Sequence, residues 1–283
     1  MNVPSDKSIQ ISENDQLRSD FVRHMVKKPY SSFKSIKNTT DIVPKTIVQF
    51  WDDSNYIPTD VQQCIETWKF FKDKGFEHII FNEHDARVFI SEMYSQDYVE
   101  AFDRCYHPAM KSDYFRLCYI FAHGGCYIDA DDAYNGADIE LYFKDDRLKL
   151  QPLCYDIDTD TMIKPNIFMN PNNHSENWIY YFNNNPLIAR PGNPIIKYAL
   201  ERATKILITL DQNNFPEIQS TTGPGNLTAS LVALVSNNAM HNVLIISDWD
   251  THAQSIWLLD YRKDNRNWRL SNKKEFSREI LSS

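Results

Sequence analysis

Three aspartates, Asp129, Asp131 and Asp132, follow the short apolar run at 126–128. Carboxylates at positions i and i+2 lie on one face of an extended chain, so Asp129 and Asp131 can approach one cation directly or through water. Hard oxygen ligands of this kind favour Mn²⁺ or Mg²⁺. Such ions keep positions open for substrate phosphates and neutralise a departing diphosphate. The spacing therefore predicts a metal site for a phosphate-containing ligand.

A pair of aspartates at this spacing also occurs in proteins without such a site, because aspartate is common in turns. One alternative is a solvated turn that caps the next element. A second is a calcium loop, but the EF-hand pattern fails here since Ala133 and Tyr134 stand where an oxygen ligand and a glycine are needed. An Asp-nucleophile phosphatase requires Thr or Val where this chain has Ala133. The motif alone leaves the choice open.

Upstream of the aspartates, residues 109–123 have the clearest helical pattern in the chain. Four apolar residues recur at i, i+3, i+4 and i+7, namely Tyr114, Leu117, Cys118 and Phe121. The pattern stops at Gly124, which permits a left-handed helix cap. The helix also carries Asp113 and Arg116, one turn apart. This pair is either a surface ion pair or part of a functional site.

The rest of the chain alternates predicted strands and helices. Strands are expected at 46–51, 78–81, 126–128, about 147–153, 178–183 and 242–247. Helices are expected at 59–73, 83–94, 97–106, about 194–211 and behind the loop at 221–225. This alternation is typical of an α/β sheet with crossover connections. It predicts one domain over 43–283, preceded by a polar arm at 1–42 that is either helical or disordered.

Composition restricts the partners and the compartment. The 283 residues carry a formal net charge of −8 and no basic stripe, so nucleic acid is not expected as a partner. An acidic protein that binds a diphosphate needs local positive charge, which a metal ion can supply. Five cysteines without metal-ligand spacing indicate reduced thiols in a reducing compartment.

The hydropathy pattern predicts where the protein works. No apolar run approaches the length of about 20 residues that crosses a bilayer. The first forty residues are polar and contain no signal-peptide core. We therefore expect a cytoplasmic protein of bacterial type, with peripheral membrane association left open. Secretion as an effector is the less favoured alternative.

The letters and the spacing of residues 109–131 together resemble a known family. The segment 109–117 is A-M-K-S-D-Y-F-R-L, and 124–131 is G-G-C-Y-I-D-A-D. This arrangement is similar to the pattern A-x-x-S-D-x-x-R, a helix, G-G-x-Y-x-D-x-D of the DXD-containing sugar transferases. That is the family 32 group, with fungal initiating mannosyltransferases and bacterial polysaccharide enzymes. The large clostridial glucosylating toxins are more remotely similar.

The resemblance extends over about residues 43–257. Residues 44–51, P-K-T-I-V-Q-F-W, resemble the family's opening segment, with Gln49 kept and Val48 where the family has histidine. Residues 184–194 resemble its N-x-x-x-A-x-x-x-H-P segment, with Asn193 in the histidine position. Residues 222–224 match its T-G-P.

The resemblance implies a GT-A type fold with additional helices, in which a Rossmann-like sheet binds a nucleotide sugar at the carboxyl ends of its strands. It also implies a retaining glycosyltransferase. We expect a hexose or N-acetylhexosamine to move from a nucleotide sugar to a glycan acceptor, with Mn²⁺ or alternatively Mg²⁺, in surface polysaccharide synthesis. A UDP-sugar is the favoured donor and a GDP-sugar the alternative. Two further hypotheses stay open, an effector that glycosylates protein and a catalytically weak sugar-nucleotide-binding partner.

The matching family positions assign roles around the motif. By resemblance, Asp131 binds the metal and Asp129 lies close to the sugar and ribose, reaching the metal through water. Asp113 and Arg116 hold hydroxyls of the donor sugar, and Arg116 also offsets charge on the donor.

Further donor contacts are expected from both ends of the family segment. By resemblance Trp51 stacks on the donor base, although a core aromatic is the alternative. Gln49, Tyr127 and Asn184 are further donor-binding candidates; Tyr127 could equally be a core residue and Asn184 a turn residue. In the closing segment, His252 would complete the metal shell, and Ser255 and Trp257 would bind the β-phosphate. Here Ile256 separates Ser255 from Trp257, unlike the family's S-W, and a loop histidine explains His252 equally well.

Overall fold

A computed structural model of the chain describes residues 4–28, 42–211, 214–235 and 242–276. The strands in these ranges are β1 (Thr46–Phe50), β2 (Glu77–Phe81), β3 (Gly125–Tyr127), β4 (Asp132–Tyr134), β5 (Leu148–Leu150), β6 (Pro152–Asp156), β7 (Thr161–Met162), β8 (Trp178–Phe182), β9 (Leu187–Ala189), β10 (Val243–Ile245) and β11 (Ala253–Ser255). The helices are α1 (Asp6–Glu13), α2 (Asp15–Lys27), α3 (Thr59–Thr67), α4 (Glu83–Met93), α5 (Gln96–Asp103), α6 (Pro108–His123), α7 (Pro165–Phe168), α8 (Pro194–Thr209), α9 (Ile218–Thr221), α10 (Pro224–Val235) and α11 (Trp268–Ser271). Short 3-10 helices occupy Trp68–Lys74, Glu140–Lys144, Trp249–Thr251 and Asp260–Lys263.

Six strands form the central sheet, in the order β10, β5, β9, β3, β1, β2. β1 runs parallel to β2 and β3, and β10 runs parallel to β5. β9 lies antiparallel between β3 and β5, so one strand of the sheet is reversed. Two smaller antiparallel sheets pair β11 with β4, and β6 with β7 and β8. The predicted α/β fold class is confirmed, with the central sheet and added helices that the GT-A type implies.

The central strands are buried on both faces. Val48 and Tyr127 pack into the apolar cluster that α6 and α8 complete. Their neighbours Ile47 and Cys126 point the other way, into a second cluster around Trp68. This two-residue period follows from strand geometry, and burial on both faces is typical of parallel strands. The apolar runs at 46–51 and 126–128 predicted this position correctly.

Two glycines make the turn from α6 into β3. Gly124 has a φ of 70°, and a Cβ there would lie 2.7 Å from Pro191. Gly125 has a φ of 104°, and its Cβ would lie 2.8 Å from the carbonyl oxygen of Thr46 in β1. Only glycine avoids both the strain of the left-handed region and these close approaches. The turn therefore brings the end of β3, with its aspartates, beside α6.

Part of the predicted polar arm packs on the domain. α1 and α2 lie against α10, and α2 also lies against β8. The side chains of Val22, Met25 and Val26 are buried. Ser19 Oγ accepts a hydrogen bond from the backbone N–H of Tyr180 at 3.0 Å. Of the two alternatives for the arm, helical or disordered, the helical one thus applies to residues 4–28. Residues 1–3 and 29–41 lie outside the described residues. The domain boundary near residue 42 stays a prediction.

Several predicted elements differ in detail from the observed ones. The helix predicted at 59–73 is α3 followed by the 3-10 helix Trp68–Lys74. The strand predicted near 147–153 is divided between β5 and β6, which belong to different sheets. β9, β4 and β11 were not predicted, because each has only three residues and carries no periodic pattern.

The described helices and the cysteine thiols bear on the predicted compartment. None of these helices is long and apolar enough to cross a membrane. The five cysteines are buried as free thiols, as predicted from their spacing.

Candidate active site

A cavity of about 480 Å³ opens at the carboxyl ends of β1 and β3. Eight of the residues predicted from the sequence line it: Trp51, Asp113, Arg116, Asp129, Asp131, Asn184, Ser255 and Trp257. These residues come from the end of β1, from α6, from the end of β3, and from two later segments. Ligands of open α/β sheets bind at this edge. The cavity is therefore the candidate active site.

Arg116 is the central cation of this cavity. Its guanidinium lies 2.8 Å from Asp129 Oδ1 and 2.9 Å from Asp113 Oδ1, with only 4% of the side chain exposed. It also donates to the carbonyl oxygen of Asn184 at 2.9 Å and to Ser112 Oγ at 3.2 Å. This is not the surface ion pair that spacing alone allowed. A buried guanidinium held by two carboxylates has a fixed direction, as a specific ligand-binding site requires.

Two later segments complete the surroundings of Asp113. Asn184 Nδ2 donates to Asp113 Oδ1 at 2.8 Å. Gly223, in the T-G-P segment, approaches from the other side, so that a Cβ there would lie 3.0 Å from Asp113 Oδ2. Burial raises the pKa of Asp113, although Arg116 opposes this shift. Asn184 and the T-G-P segment lie far from α6 in the chain. The sequence therefore did not predict that they contact Asp113.

The three aspartates after β3 face three different partners. Asp129 Oδ1 accepts from Arg116 at 2.8 Å. Asp131 Oδ2 accepts from Tyr261 Oη at 2.7 Å and from the guanidinium of Arg262. Asp132 Oδ2 accepts from Asn185 Nδ2 at 2.8 Å. Tyr261, Arg262 and Asn185 were missed in the sequence, since no motif marks them.

Asp132 is the most enclosed of the three carboxylates, with 2% of its surface exposed. Burial, and then the charges of Asp131 and Asp129, raise the pKa of Asp132 to about 8. Burial also raises the pKa of Asp129 to about 6, against the effect of Arg116. The Asp129 side chain is still 33% exposed, so water solvates its charge better than that of Asp132. Asp132 therefore has the more strongly raised pKa of the two.

The raised carboxylate pKa values predict how stability depends on pH. The folded protein holds protons that the unfolded chain releases, so stability falls as pH rises from about 4 through about 8. We expect the melting temperature of the metal-free protein to fall over this window and Asp132→Asn to flatten the fall. Each kcal/mol changes the melting temperature by about 2–4 °C in domains approaching this size. Scanning fluorimetry at several pH values measures the melting temperatures of wild type and variant.

The matched control for this pH series is Asp73→Asn, since Asp73 is an exposed carboxylate on the 3-10 helix Trp68–Lys74. That variant should keep the wild-type pH profile. Parallel profiles for Asp132→Asn and wild type would contradict the prediction.

The donor set suits a divalent cation that arrives with other ligands. Asp132 Oδ1 is buried and has no hydrogen-bond partner among the described residues. Within the same ranges no three His, Cys, Asp or Glu side chains are arranged to hold a metal ion by themselves. Mg²⁺ and Mn²⁺ are commonly held by one or two carboxylates together with substrate phosphates. The residues therefore fit such a cation, which Asp131 would hold with Asp129 or Asp132.

Gln49 and Tyr127 contact the site from behind the cavity lining. The fully buried Gln49 donates from Nε2 to the carbonyl oxygen of Asp129 at 3.1 Å, and its Oε1 lies 2.8 Å from His78 Nε2. Tyr127 Oη lies 2.7 Å from Ser112 Oγ, and Arg116 stacks over its ring at 4.3 Å. Both side chains thus orient the residues that do line the cavity.

His252 does not line the cavity. Its ring packs between Tyr142 and Trp249, and Nε2 lies 2.9 Å from Tyr142 Oη. The neighbouring strand β11 pairs with β4, and this pairing puts Ser255 opposite Asp132. A hydrogen bond from Ser255 lowers the pKa of Asp132. Of the closing segment, Ser255 and Trp257 reach the cavity, and His252 supports it from the aromatic core.

Trp51 and the C-terminal segment contribute aromatic rings to the cavity lining. Trp51 is 8% exposed, and its ring meets Tyr261 edge to face at 5.3 Å. Trp257 is 55% exposed and carries the guanidiniums of Arg262 at 4.3 Å and Arg269 at 4.7 Å over its ring. Aromatic faces of this kind bind bases and sugar rings. The segment after β11 thereby covers the aspartates with stacked rings and cations.

The chain is similar in sequence to known glycosyltransferases. Residues 58–137 match the family model described as "Glycosyltransferase sugar-binding region containing DXD motif". An initiation-specific alpha-1,6-mannosyltransferase of Candida albicans is 21% identical over 258 residues, which are 84% of this chain and 62% of that protein. An uncharacterized glycosyltransferase of Acanthamoeba polyphaga mimivirus is 21% identical over 220 residues, which are 76% of this chain and 75% of that protein. The solved structure of the PaToxG glycosyltransferase covers 84% of each chain, with a TM-score of 0.46 and 14% identity.

Residues 58–137 therefore resemble the sugar-binding region of the DXD-containing glycosyltransferases, and the predicted resemblance to that family is confirmed. The matched region contains α6, the double glycine and all three aspartates. The chain spans 62% of the length of the mannosyltransferase that it resembles.

Proposed function

We propose that the protein is a metal-dependent, retaining glycosyltransferase that moves a hexose or N-acetylhexosamine from a nucleotide sugar to a glycan. A UDP-sugar is the favoured donor, with a GDP-sugar as the alternative. The observation that carries the proposal is Arg116, buried between Asp113 and Asp129 in a cavity that also contains Asp131. A sugar-nucleotide site needs hydroxyl-binding carboxylates beside a diphosphate-binding position, and these residues supply both.

Different residues of the cavity would bind different parts of the donor. Asp113, Asn184 and Arg116 form a fixed polar surface that can bind sugar hydroxyls. A divalent cation, Mn²⁺ in our proposal, would stabilise the negative charge of the leaving diphosphate. Asp131 and Asp129 would hold that cation, and Ser255 and Trp257 would donate to the β-phosphate. Trp51 would stack on the base.

We assign the acceptor to another part of the same cavity lining. This part consists of Met162 and Tyr181, from the sheet of β6, β7 and β8, and of Trp268 and Arg269. Arg269 stacks between Trp257 and Trp268, with ring centroids 4.7 and 4.8 Å from its guanidinium carbon. Aromatic rings with polar edges suit a sugar better than an extended peptide. A glycan is therefore the favoured acceptor.

The test of the proposal is nucleotide release from a panel of UDP- and GDP-sugars, with Mn²⁺, Mg²⁺ or EDTA. Release from one donor that EDTA abolishes would support the proposal and name the donor. The same panel is repeated with glycan and protein acceptors, and the anomeric configuration of the product is read by NMR. Failure of every donor to bind in calorimetry with Mn²⁺ would refute it.

The stacking role of Trp51 gives a separate prediction. Base–aromatic stacking contributes about 1–3 kcal/mol, so Trp51→Ala should weaken binding of the donor's nucleoside diphosphate by about 5- to 140-fold. Trp51→Phe keeps a ring and should retain most of the affinity. Isothermal titration calorimetry measures both, and melting temperatures verify that the variants are folded. Wild-type affinity in Trp51→Ala would show that the base binds elsewhere.

A further inference from the structure

We propose that Arg262 is a diphosphate-binding residue that, in the donor-free protein, neutralises Asp131 in place of the metal ion. As a consequence, metal and nucleoside diphosphate bind together rather than one after the other. This inference rests on the proposed function and adds to it a residue and an order of binding.

The contact between Arg262 and Asp131 is the first observation. The guanidinium NH2 group bonds Asp131 Oδ2, and the two side chains are only 13% and 10% exposed. Tyr261 Oη donates to the same oxygen at 2.7 Å. This oxygen therefore already has two donors. A cation that binds it must displace the guanidinium, because two positive charges cannot share one carboxylate oxygen at low cost.

The unused hydrogen-bonding capacity of Arg262 is the second observation. A guanidinium has five N–H donors in a planar fork, a geometry that matches phosphate oxygens. Arg262 Nε is buried and has no hydrogen-bond partner in the described part of the chain. The guanidinium carbon lies 4.3 Å from the ring centroid of Trp257, and Arg262 lines the cavity. The side chain is thus held at the cavity with donors to spare.

The backbone around Arg262 allows the exchange without refolding. The pairing of β11 with β4 fixes the start of the C-terminal segment beside the aspartates. The backbone N–H of Ile256 donates to the carbonyl oxygen of Asp131 at 3.0 Å. Arg262 follows in the 3-10 helix Asp260–Lys263. A rotation of its side chain is therefore enough to move the guanidinium from the carboxylate to a neighbouring diphosphate.

The energetic consequence is a coupling between the two ligands. Free metal would leave Arg262 as a largely buried cation without an anionic partner, which is costly. Metal that arrives with a diphosphate provides Arg262 with a new anion, and the cost disappears. By linkage, each ligand then strengthens the binding of the other by the same factor. We expect weak binding of Mn²⁺ alone and strong binding in the presence of the diphosphate.

The experiment is a titration of Mn²⁺ followed by electron paramagnetic resonance, with and without UDP, and with GDP in parallel. In the absence of nucleotide, Arg262→Gln should bind Mn²⁺ about 10-fold more tightly than wild type, since the competing cation is gone. In saturating Mn²⁺, the same variant should bind the nucleotide about 10-fold more weakly. Arg262→Lys keeps a charge but not the fork, so it should bind free Mn²⁺ as weakly as wild type while losing nucleotide affinity.

The matched control is Lys263→Gln, because the neighbouring Lys263 is 75% exposed and pairs with Asp260 on the surface. It should change neither affinity. Equal Mn²⁺ affinity for Arg262→Gln and wild type, or unchanged nucleotide affinity, would overturn the inference while leaving the proposed function intact. Failure of wild type to bind Mn²⁺ even with UDP or GDP would overturn both. Melting temperatures of all variants verify folding.

Discussion

Replacing Asp131 with asparagine is expected to lower nucleotide release from the correct donor by at least about 10³-fold. A metal ion contributes several kcal/mol to stabilising charge in a transition state, and each 1.36 kcal/mol is a factor of ten in rate. Asp131 is the carboxylate that the proposal assigns to direct metal binding, and asparagine removes its charge with little change in shape. Release of UDP or GDP, measured by a coupled assay with saturating Mn²⁺, is the readout.

The control for Asp131→Asn is Asp73→Asn, which neutralises an exposed aspartate outside the cavity and should retain wild-type rates. Melting temperatures of both variants verify that they are folded. Retention of more than a tenth of the activity in Asp131→Asn would remove Asp131 from the metal site. Loss of activity in both variants would point to a change in folding or charge and not to the metal.

Replacing Arg116 with glutamine is expected to lower the free energy of unfolding by about 3–5 kcal/mol. The reason is that Arg116, with 4% of its side chain exposed, compensates Asp113 and Asp129. Without it, buried carboxylates lose their partner and must take up protons or solvent. Urea denaturation at neutral pH measures the change. The same variant should lose donor binding, because the carbonyl of Asn184 and the two carboxylates lose their common donor.

The comparison for Arg116→Gln is Arg87→Gln. Arg87 forms a bidentate pair with Asp103, but the two side chains are 49% and 44% exposed. Exposed pairs contribute about 0.2–1 kcal/mol, so this variant should be nearly neutral. If the two variants unfold at the same urea concentration, Arg116 does not compensate the two buried carboxylates. The free energy of unfolding of Arg116→Lys should lie between those of wild type and Arg116→Gln, because lysine keeps the positive charge and loses the planar fork of N–H donors.

The two predictions separate an enzyme from a binding protein. A catalytically weak sugar-nucleotide-binding partner would bind a donor through Asp113 and Arg116 without releasing nucleotide. In that case Arg116→Gln would abolish binding, whereas Asp131→Asn would change only metal-dependent affinity. An enzyme shows both the binding defect and the loss of turnover. Release of nucleotide from the donor panel would identify an enzyme, and if no donor is cleaved, the panel repeated with acceptors separates an enzyme that needs its acceptor from a binding protein.

Local pattern determined the parts of the site that lie close together in the chain. The period of the apolar residues predicted α6, and the run at 126–128 predicted β3. Only glycine fits the two positions between them. Asp113, Arg116, Asp129 and Asp131 follow from these elements, because a helix, a tight turn and a strand leave few relative positions open. Short-range geometry thus places these four residues near one another, and the resemblance to the family assigned them to the donor.

The tertiary structure decided which distant residues complete the cavity. Arg262 reaches Asp131 across 131 residues of chain, and Asn184 reaches Asp113 across 71. The same packing turned His252 towards Tyr142 and placed the reversed strand β9 beside β3. Such contacts depend on the path of the whole chain, and no local periodicity or propensity encodes them. The sequence alone therefore determined the chemistry of the motif. Only the fold determined that the guanidinium of Arg262 and the side-chain amides of Asn184 and Asn185 contact the carboxylates of the site.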